Sequence, residues 1–487
     1  MLFNSIEFLV FFPIVAGLFF IIPKKFRCLW LLIASYYFYM SWNPKYAVLI
    51  AFSTFITYIS GILMERANTK HGKQAVVAAS FIINLAILGV FKYANFALQT
   101  LSDIGAILGL QPIERRLDLL LPVGISFYTF QALSYTIDVY RGTVKAEKNI
   151  LQYMLFVSFF PQLVAGPIER SGNLLSQIQR VKEINVWEFE RVRNGFLLMF
   201  WGLFQKLVIA DRASVLVNQV YQNYGDYGFL ELAIASVLFA FQIYCDFGGY
   251  SNIARGAARV MGFSLMQNFR QPYLAVNIKE FWRRWHISLT SWFTDYLYIP
   301  LGGSRKGTVR KYLNILIVFM VSGLWHGASW NFVAWGVLHA VYQISGDLAG
   351  KWKKRIGVQD SNNGCFSRKL EKGIVTFVLA DAAWVFFASD SLHHACDIFR
   401  QMVASFQTTS IYEIGLDRGN WFILCFGILL LFVVDVIHEK DVSVFQFVQR
   451  QTVLFRWTLY LGLIWSIILF GIYGAGYDSS QFIYFQF

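Results

Sequence analysis

One histidine of this sequence is surrounded by residue types that can support catalysis. His326 lies in the run Ser322-Gly323-Leu324-Trp325-His326-Gly327-Ala328-Ser329-Trp330-Asn331. In a continuous helix, Ser322, His326 and Ser329 would share one polar stripe at i, i+4 and i+7. If the helix instead breaks between Gly327 and Asn331, His326 lines the break, and irregular backbone in apolar surroundings requires a cavity. Either arrangement allows a neutral imidazole to act as a general base; a purely structural histidine is the alternative.

A second histidine, His286, lies in a run that is both aromatic and basic. Trp282, Trp285, Leu289 and Trp292 follow 3-4-3 spacing, which predicts one amphipathic helix at a membrane interface. The neighbouring pair Arg283-Arg284 suits lipid phosphates, and it equally suits a phosphate-bearing substrate.

Two further segments place polar residues at the ends of apolar runs. The segment Cys245-Asp246-Phe247-Gly248-Gly249 combines a carboxylate with a glycine pair, and residues 160–170 contain a Pro/Gly break. Each segment is interpreted as a helix end. His339 lies in an apolar run and is interpreted as structural. The remaining histidines are interpreted as interfacial: His71, His393, His394 and His438.

The composition indicates which elements must position these residues. Of the 487 residues 56% are hydrophobic and 15% are charged, whereas soluble chains carry about 25% charged residues. Continuous apolar runs of membrane-spanning length exclude a soluble enzyme, a disordered protein, a coiled coil and a membrane β-barrel. We expect a polytopic all-α membrane protein of roughly eleven spans. The apolar segments are 6–22, 28–42, 46–64, 75–98, 121–140, 151–165, 194–211, 228–245, 312–325, 330–346, 373–388, 420–437 and 454–474.

The charge distribution predicts an orientation. The net charge of +13 fits the excess of Lys and Arg that cytoplasmic loops carry, so nucleic acid is not an expected partner. Basic residues are concentrated in the first and third loops, which predicts an extracytoplasmic N-terminus. The segment 121–140 is unusually polar for a span and should face protein or a wet cavity. The first span is expected to be uncleaved. Five scattered cysteines suggest neither a disulfide framework nor a zinc site.

Several motifs together resemble the membrane-bound O-acyltransferase (MBOAT) family, in its bacterial AlgI/DltB-like branch and closest to the alginate O-acetyltransferases. The resemblance runs from residue 1 to about 390 and is most specific over 241–336. Gly248 and Asn252 replace the Ser and Asp of the branch, and Arg255 and Thr294 also depart from it. The motifs that carry the resemblance are Met1–Ser5, Ala34–Tyr36 with Phe38-Tyr39, Ala165–Ile168, Tyr244–Ser251, Asn268-Phe269, Pro272-Tyr273, Phe281–His286, Ser291-Trp292, Asp295–Gly303 and Trp325–Gly327.

The resemblance implies one integral domain over 1–487. Its motif-rich core covers about 120–346 and its C-terminal helices about 373–474. The implied fold adds re-entrant and interfacial amphipathic helices around a central funnel. His326 is the implied catalytic histidine and His286 the second one, while Arg283, Arg284, Asp246, Trp325 and Asn331 are predicted to bind substrate or donor. No metal and no permanently bound cofactor is expected.

The implied reaction is transfer of an acetyl group from cytoplasmic acetyl-CoA toward hydroxyls of an exported polysaccharide. The implied partners are an extracytoplasmic SGNH-type acetyltransferase or a polysaccharide-export complex, together with membrane lipids, and the location is the bacterial inner membrane. A D-alanyl transferase fed by an acyl-carrier protein is an alternative. A transporter or flippase is another, although paired broken spans and an intramembrane carboxylate chain are lacking in the sequence.

Overall fold

The computed structural model describes residues 1–111, 117–164, 166–357, 365–473 and 482–483. Within these ranges every regular element is a helix and no strand occurs, so the all-α prediction is confirmed. The chain divides into two compact units, Met1–Phe196 with Ala254–Met266 and Leu197–Ile253 with Gln267–Phe487. The prediction of one integral domain stays a prediction.

The first unit contains the N-terminal helices. Several begin with a side-chain cap; Ser5 Oγ, for example, accepts a hydrogen bond from the N–H of Phe8. A π-helical segment, Gly89–Tyr93, joins α4 to α5. The helices are α1 Ile6–Ile21, α2 Arg27–Met40, α3 Ala47–Arg66, α4 Lys70–Leu88, α5 Ala94–Ile107, α6 Ile125–Arg141, α7 Ile150–Ser158, α8 Phe160–Leu163 and α9 Ser176–Gln179.

Helix α6 corresponds to the unusually polar span of the sequence, and its polar side chains are buried within the first unit. Gln131 Nε2 donates to the carbonyl of Phe156 at 2.6 Å, and Gln162 Nε2 donates to Gln131 Oε1 at 2.8 Å. The expectation that this helix faces protein is confirmed, because buried amides are stable only when they find partners.

The second unit contains the helices that carry both histidine motifs. Helix α10 begins in residues of the first unit, and α12 ends there. A π-helical segment, Phe204–Ala210, joins α10 to α11. The helices are α10 Phe189–Leu203, α11 Asp211–Gln222, α12 Phe229–Val260, α13 Ile278–Arg284, α14 Ile287–Phe293, α15 Thr308–His326, α16 Trp330–Arg355, α17 Phe366–Ala388, α18 Leu392–Ala404, α19 Arg418–Glu439, α20 Val444–Gln449 and α21 Val453–Phe470.

Membrane-spanning potential is spread along the whole chain. Within the described ranges, six helical stretches are long and apolar enough to cross a bilayer, and Ile6–Ile21 is a shorter apolar helix. The number of eleven spans stays a prediction. The six stretches are Pro44–Arg66, Lys70–Ile107, Phe229–Val260, Thr308–His326, Arg418–Glu439 and Val453–Phe470.

The expectation that a helix ends at Asp246–Gly249 is wrong, because α12 continues to Val260. A Cβ on Gly249 would lie 2.6 Å from the carbonyl oxygen of Gly202 in α10. The glycine therefore allows two helix backbones to touch rather than ending a helix. By contrast, the Pro/Gly break of 160–170 does end a helix, since α8 stops at Leu163.

Candidate active site

His326 lies at the junction of two tightly packed helices. Helix α15 ends at His326 and α16 begins at Trp330, so the broken arrangement is the one that the structure adopts. A Cβ on Gly323 would lie 2.2 Å from the carbonyl oxygen of Phe332, and a Cβ on Gly336 would lie equally close to that of Phe319. The two backbones are in contact, and this contact fixes the position of His326 at the break.

Aromatic rings surround the imidazole of His326, which is only 4% exposed. Its ring centroid lies 4.9 Å from that of Trp325, 5.1 Å from Trp335 and 5.3 Å from Phe387. All three pairs are close to edge-to-face, a favourable aromatic geometry. Trp325, which was predicted to bind substrate or donor, thus packs directly against the imidazole of His326. The rings orient the imidazole and exclude bulk water from it.

His286 occupies a break between two short helices. Helix α13 ends at Arg284, α14 begins at Ile287, and His286 between them has the left-handed backbone conformation φ 42°, ψ 54°. The backbone on either side is held by the preceding segment, since the N–H of Ile287 donates to the carbonyl of Asn268 at 2.9 Å and that of Arg270 to Arg284. These bonds hold a conformation that is costly for a residue other than glycine.

The prediction of one continuous amphipathic helix through His286 is therefore wrong. The left-handed residue turns the chain, and the four 3-4-3 residues are divided between α13, the break and α14. All four of these side chains are buried within the protein: Trp282, Trp285, Leu289 and Trp292.

The two histidines come together in the second unit. The centroids of the His286 and His326 rings are 6.3 Å apart, and Trp325 lies 5.9 Å from His286. His286 is fully buried, and Phe247 of α12 packs on it at 4.7 Å. Two imidazoles from separate helix breaks thus share one aromatic environment. His339 is buried nearby, where its Nδ1 accepts from Trp282 Nε1 at 3.2 Å, as befits a structural histidine.

A chamber of about 560 Å³ begins directly beyond His326. Its walls are the end of α11, the first half of α12, residues between Gly327 and Phe332, and the residues that join α17 to α18, together with His394 of α18 and Ile483. Ligand sites in proteins commonly have volumes of about 300–1,000 Å³. The α15–α16 break therefore borders a space that can accept a substrate.

Asn331, predicted to bind substrate or donor, lies in the wall of this chamber and is 1% exposed. Its Nδ2 donates to the carbonyl of Ser389 at 2.7 Å and to that of Phe386 at 3.2 Å. The amide nitrogen thus ties α16 to the end of α17, and this pairing sets the orientation of the side chain.

Asp246 belongs to a buried ionic cluster. Lys206 Nζ lies 2.6 Å from Asp246 Oδ1 and 2.7 Å from Asp211 Oδ1, and all three side chains are buried. Asp246 Oδ2 accepts from the N–H of Ile483 at 2.8 Å. The structure therefore places Asp246 in a network that links α12, the π-helical segment of Lys206 and Ile483, whereas the prediction was that Asp246 binds substrate or donor.

The two adjacent arginines of α13 lie in different surroundings. Arg284 bonds to Glu439 and Glu280, each at 2.5 Å, and its side chain is 15% exposed. The hydrogen bonds that Arg284 donates to Glu439 are the main reason why the pKa of Arg284 lies above its usual value. Arg283 is exposed. Of the two, Arg283 is the one whose surroundings leave room for a phosphate.

Comparison with known proteins gives this geometry a family context. The model of the membrane-bound O-acyltransferase family matches residues 145–366, a range that contains both histidines. A probable alginate O-acetylase of Pseudomonas aeruginosa is 37% identical over 439 residues, which cover 88% of this chain and 80% of the relative. The chain belongs to the membrane-bound O-acyltransferase family.

Other relatives of the chain are also acyltransferases. A peptidoglycan O-acetyltransferase of Helicobacter pylori is 32% identical over 403 residues, 77% of this chain and 73% of the relative. A teichoic acid D-alanyltransferase of Bacillus subtilis is 24% identical over 287 residues, 56% of this chain and 70% of the relative. The chain is an enzyme, an O-acyltransferase, and the family suggested by the motifs is confirmed. Membership in this family argues against a transporter or flippase.

Some residues of the membrane-bound O-acyltransferase site were missed in the sequence. Phe387 lies in α17, 61 positions after His326, within the apolar segment 373–388, in which the sequence singled out no residue. Lys206 sits in an apolar run 40 positions before Asp246. A lysine inside a span-length apolar segment is a signal that could have identified it, because such a charge needs a buried partner.

Proposed function

We propose that this enzyme transfers an acetyl group from acetyl-CoA toward hydroxyls of an exported polysaccharide, with His326 as the general base. One observation carries the proposal: the His326 ring lies at a helix break, caged by aromatic rings, beside His286 and next to the chamber that starts at Gly327. The similarity to alginate and peptidoglycan O-acetylating proteins supports the choice of acyl group and polymer class.

Acetyl transfer from a thioester to a hydroxyl requires mainly a general base and a site from which water is excluded. The imidazole of His326 accepts the proton of the attacking hydroxyl group. At the same time the hydroxyl oxygen forms a bond to the carbonyl carbon of the thioester. The carbon–sulfur bond then breaks, the CoA thiolate leaves and takes up that proton, and an ester remains on the acceptor. A positioned general base contributes about 10²–10⁴-fold to such a step. An acetyl-histidine intermediate is the variant in which the ring attacks the thioester itself.

His286 is assigned a supporting role. Its ring lies too far from that of His326 for a direct hydrogen bond in this arrangement, because the centroids are 6.3 Å apart. A small group between the two rings, such as the thioester carbonyl, would be within reach of both. We infer that His286 orients the acyl group while His326 handles the proton.

The donor is proposed to enter from the cytoplasmic side, where the basic ends of the helices lie. The last turn of α16 carries Lys353, Lys354 and Arg355, and such an excess of basic residues marks cytoplasmic ends. Exposed Arg283 is proposed to pair with a CoA phosphate. By the same rule the N-terminus is extracytoplasmic, and the bacterial inner membrane is the proposed location.

The acetyl group then continues outside the membrane. We propose that an extracytoplasmic acetyltransferase of the SGNH type, or a polysaccharide-export complex, completes the transfer. The relatives named for alginate and peptidoglycan support a glycan as the final acceptor.

The donor can be tested directly with the purified protein. Radiolabelled acetyl-CoA and radiolabelled D-alanyl carrier protein are offered in parallel, and label on an added glycan is measured, with an SGNH-type acetyltransferase present, for the wild type and for His326→Ala. The proposal predicts label from acetyl-CoA alone, and none with His326→Ala although the variant remains folded. Label from the carrier protein would make the chain a D-alanyltransferase, and undiminished labelling by His326→Ala would remove the assignment of the base.

A further inference from the structure

A group of basic side chains lies where α15 begins and α16 ends. Lys311 Nζ of α15 lies 2.9 Å from Asp347 Oδ2 of α16, so the first turn of one helix is beside the last turns of the other. Apart from Asp347, residues 308–312 and 346–355 include no acidic residue. The α15–α16 basic patch consists of Arg310, Lys311, Lys351, Lys353, Lys354 and Arg355.

Two lysines of the patch are held together around one carboxylate. Asp347 Oδ2 accepts a hydrogen bond from the Tyr312 hydroxyl at 2.7 Å, and Lys351 Nζ lies 3.4 Å from the same oxygen. Lys351 Nζ also donates to the Tyr312 hydroxyl at 3.1 Å. The ammonium groups of Lys311 and Lys351 lie 5.5 Å and 5.2 Å from the centroid of the Tyr312 ring. One carboxylate therefore holds two ammonium groups close together and balances the charge of one of them.

The remaining basic side chains of the patch are exposed: Arg310, Lys353, Lys354 and Arg355. Lysine and arginine side chains carry only donors, so these groups present N–H donors to the surroundings of the helix ends. An excess of cations at one place on a protein surface attracts anions. The α15–α16 basic patch is thus suited to an anionic ligand.

An exposed apolar stripe of α16 leads directly into the patch. Val341, Leu348 and Trp352 follow i, i+7, i+11 spacing, so they share one helix face, and they are 47%, 49% and 64% exposed. Arg355 lies on the same face, seven positions after Leu348. Tryptophan is typical of the level at which lipid acyl chains meet headgroups. This face therefore suits acyl chains along the stripe and headgroups beyond Trp352.

The length of α16 agrees with this placement. The helix has 26 residues. At about 1.5 Å per residue it is about 39 Å long, whereas the hydrocarbon core of a bilayer is about 30 Å thick. A helix that crosses the core from its first residue would extend beyond it by about six residues. The basic side chains of residues 351–355 belong to that extension and reach the lipid phosphates.

The combination of charge and apolar surface distinguishes between possible anions. The phosphates of a free nucleotide would pair with the cations and leave Leu348 and Trp352 uncovered. A soluble acidic protein would have to displace the acyl chains that cover the same stripe. A phospholipid supplies both a phosphate and acyl chains. Because the lysine pair and the run 353–355 form two groups of cations, a lipid with two phosphates matches the patch better than a lipid with one.

We propose that the α15–α16 basic patch binds an anionic phospholipid, with a preference for the two-phosphate lipid cardiolipin over the one-phosphate lipid phosphatidylglycerol. Basic residues at this place also favour one topology and complement the helix C-terminus. Those two effects depend on charge alone and require no particular lipid. Lipid binding does not depend on the proposed acetyl transfer and is measured without turnover.

The experiment titrates lipids onto the full-length protein in detergent and counts bound lipids by native mass spectrometry. Cardiolipin, phosphatidylglycerol and zwitterionic phosphatidylethanolamine are added separately, and a Kd is obtained for each. The test variant is Lys353→Gln/Lys354→Gln. The matched control is Lys24→Gln/Lys25→Gln, which removes another adjacent pair of exposed lysines. A third variant, Lys353→Arg/Lys354→Arg, keeps the two charges.

We expect the Kd to increase from cardiolipin to phosphatidylglycerol to phosphatidylethanolamine. Lys353→Gln/Lys354→Gln should weaken cardiolipin binding about 10–30-fold, since each charge near an anionic headgroup contributes about fivefold. The control pair and the arginine variant should bind cardiolipin as the wild type does. An excess of free CoA should leave cardiolipin bound, because CoA has no acyl chain to cover the α16 stripe.

The proposal is overturned by wild-type affinity in Lys353→Gln/Lys354→Gln, by equal weakening in the two glutamine pairs, or by equal affinity for the anionic and zwitterionic lipids. Equal affinity for cardiolipin and phosphatidylglycerol would overturn the two-phosphate preference. Displacement of cardiolipin by free CoA would assign the patch to nucleotide phosphates, and displacement by an acidic carrier protein would assign it to a protein partner. A failure of the proposed acetyl transfer would appear in the radiolabel assay and leave the lipid Kd unchanged, so the two failures are distinguishable.

Discussion

The rings of His286 and His326 lie 6.3 Å apart although 40 residues separate them in the chain. Each ring stands at a break between two helices, and each break is held by backbone contacts that do not involve the imidazole. The structure thus fixes the two rings independently and brings them to one place. Side-chain substitution can therefore test the chemistry of either ring without removing the elements that position it.

Two substitutions of His286 should distinguish a role of its imidazole in catalysis from the effect of its left-handed backbone conformation on stability. Asn adopts the left-handed conformation more readily than Ala, so we expect His286→Asn to be more stable than His286→Ala by about 1–2 kcal/mol. If the ring orients the acyl group, activity should fall at least about tenfold in both variants. Thermal unfolding in detergent and acetyl transfer would be measured side by side; activity that merely follows stability would leave His286 a structural residue.

The adjacent glycines of α12 provide a matched pair of variants. Gly249→Ala places a Cβ 2.6 Å from the carbonyl oxygen of Gly202, whereas Gly248→Ala meets nothing closer than 3.6 Å. We expect Gly249→Ala to lose about 1–3 kcal/mol of unfolding free energy, and Gly248→Ala to gain up to about 1 kcal/mol of helix propensity. Denaturant titration of the two proteins checks the difference, and equal stabilities would argue against the close contact of α10 with α12.

In the buried cluster of Lys206, Asp211 and Asp246, removing the cation should lower stability more than removing one carboxylate. Lys206→Met leaves Asp211 and Asp246 as neighbouring buried carboxylates, for which we expect a loss of about 3–5 kcal/mol. Asp211→Asn keeps the pair of Lys206 with Asp246, and a loss of only about 1 kcal/mol is expected. Melting temperatures of the purified variants test this order, which a fully stable Lys206→Met protein would contradict.

The sequence identified the histidines that the structure brings together better than it predicted the helices that hold them. His326 and its glycine neighbours were recognisable because polar and small residues stand out in an apolar run. The 3-4-3 spacing around His286 suggested one continuous helix, since side-chain spacing carries no sign that a histidine adopts φ 42°. The glycines at 248 and 249 suggested a helix end, because their true partner, Gly202, is distant in the chain.

The residues from other helices that pack on His326 could not be predicted from local sequence patterns either. Phe387 and Trp335 complete the cage of His326, yet aromatic residues are frequent in every span of this chain, so their types carried no information. Only packing selects them.

The neighbouring arginines of α13 should have separable effects. Arg283→Gln is expected to raise the KM for acetyl-CoA about tenfold and to leave thermal stability unchanged, because Arg283 is exposed. Arg284→Gln should instead lower stability, since Glu280 and Glu439 lose their shared partner.

Acetyl-dephospho-CoA supplies the control for this prediction. Its thioester is intact but a phosphate is missing, so Arg283→Gln should affect it less than acetyl-CoA. A KM unchanged by Arg283→Gln would show that this side chain does not hold the donor.

The central claim is that His326 is the base that passes a thioester's acyl group to a hydroxyl. It is tested most directly in proteoliposomes with radiolabelled acetyl-CoA outside and an acceptor glycan together with an SGNH-type acetyltransferase inside, comparing the wild type with His326→Gln. His393→Ala serves as the control, because that side chain is 79% exposed. We predict labelled glycan for the wild type and His393→Ala, and a loss of about 10²–10⁴-fold for folded His326→Gln. Labelled glycan at the wild-type rate from His326→Gln would contradict the account.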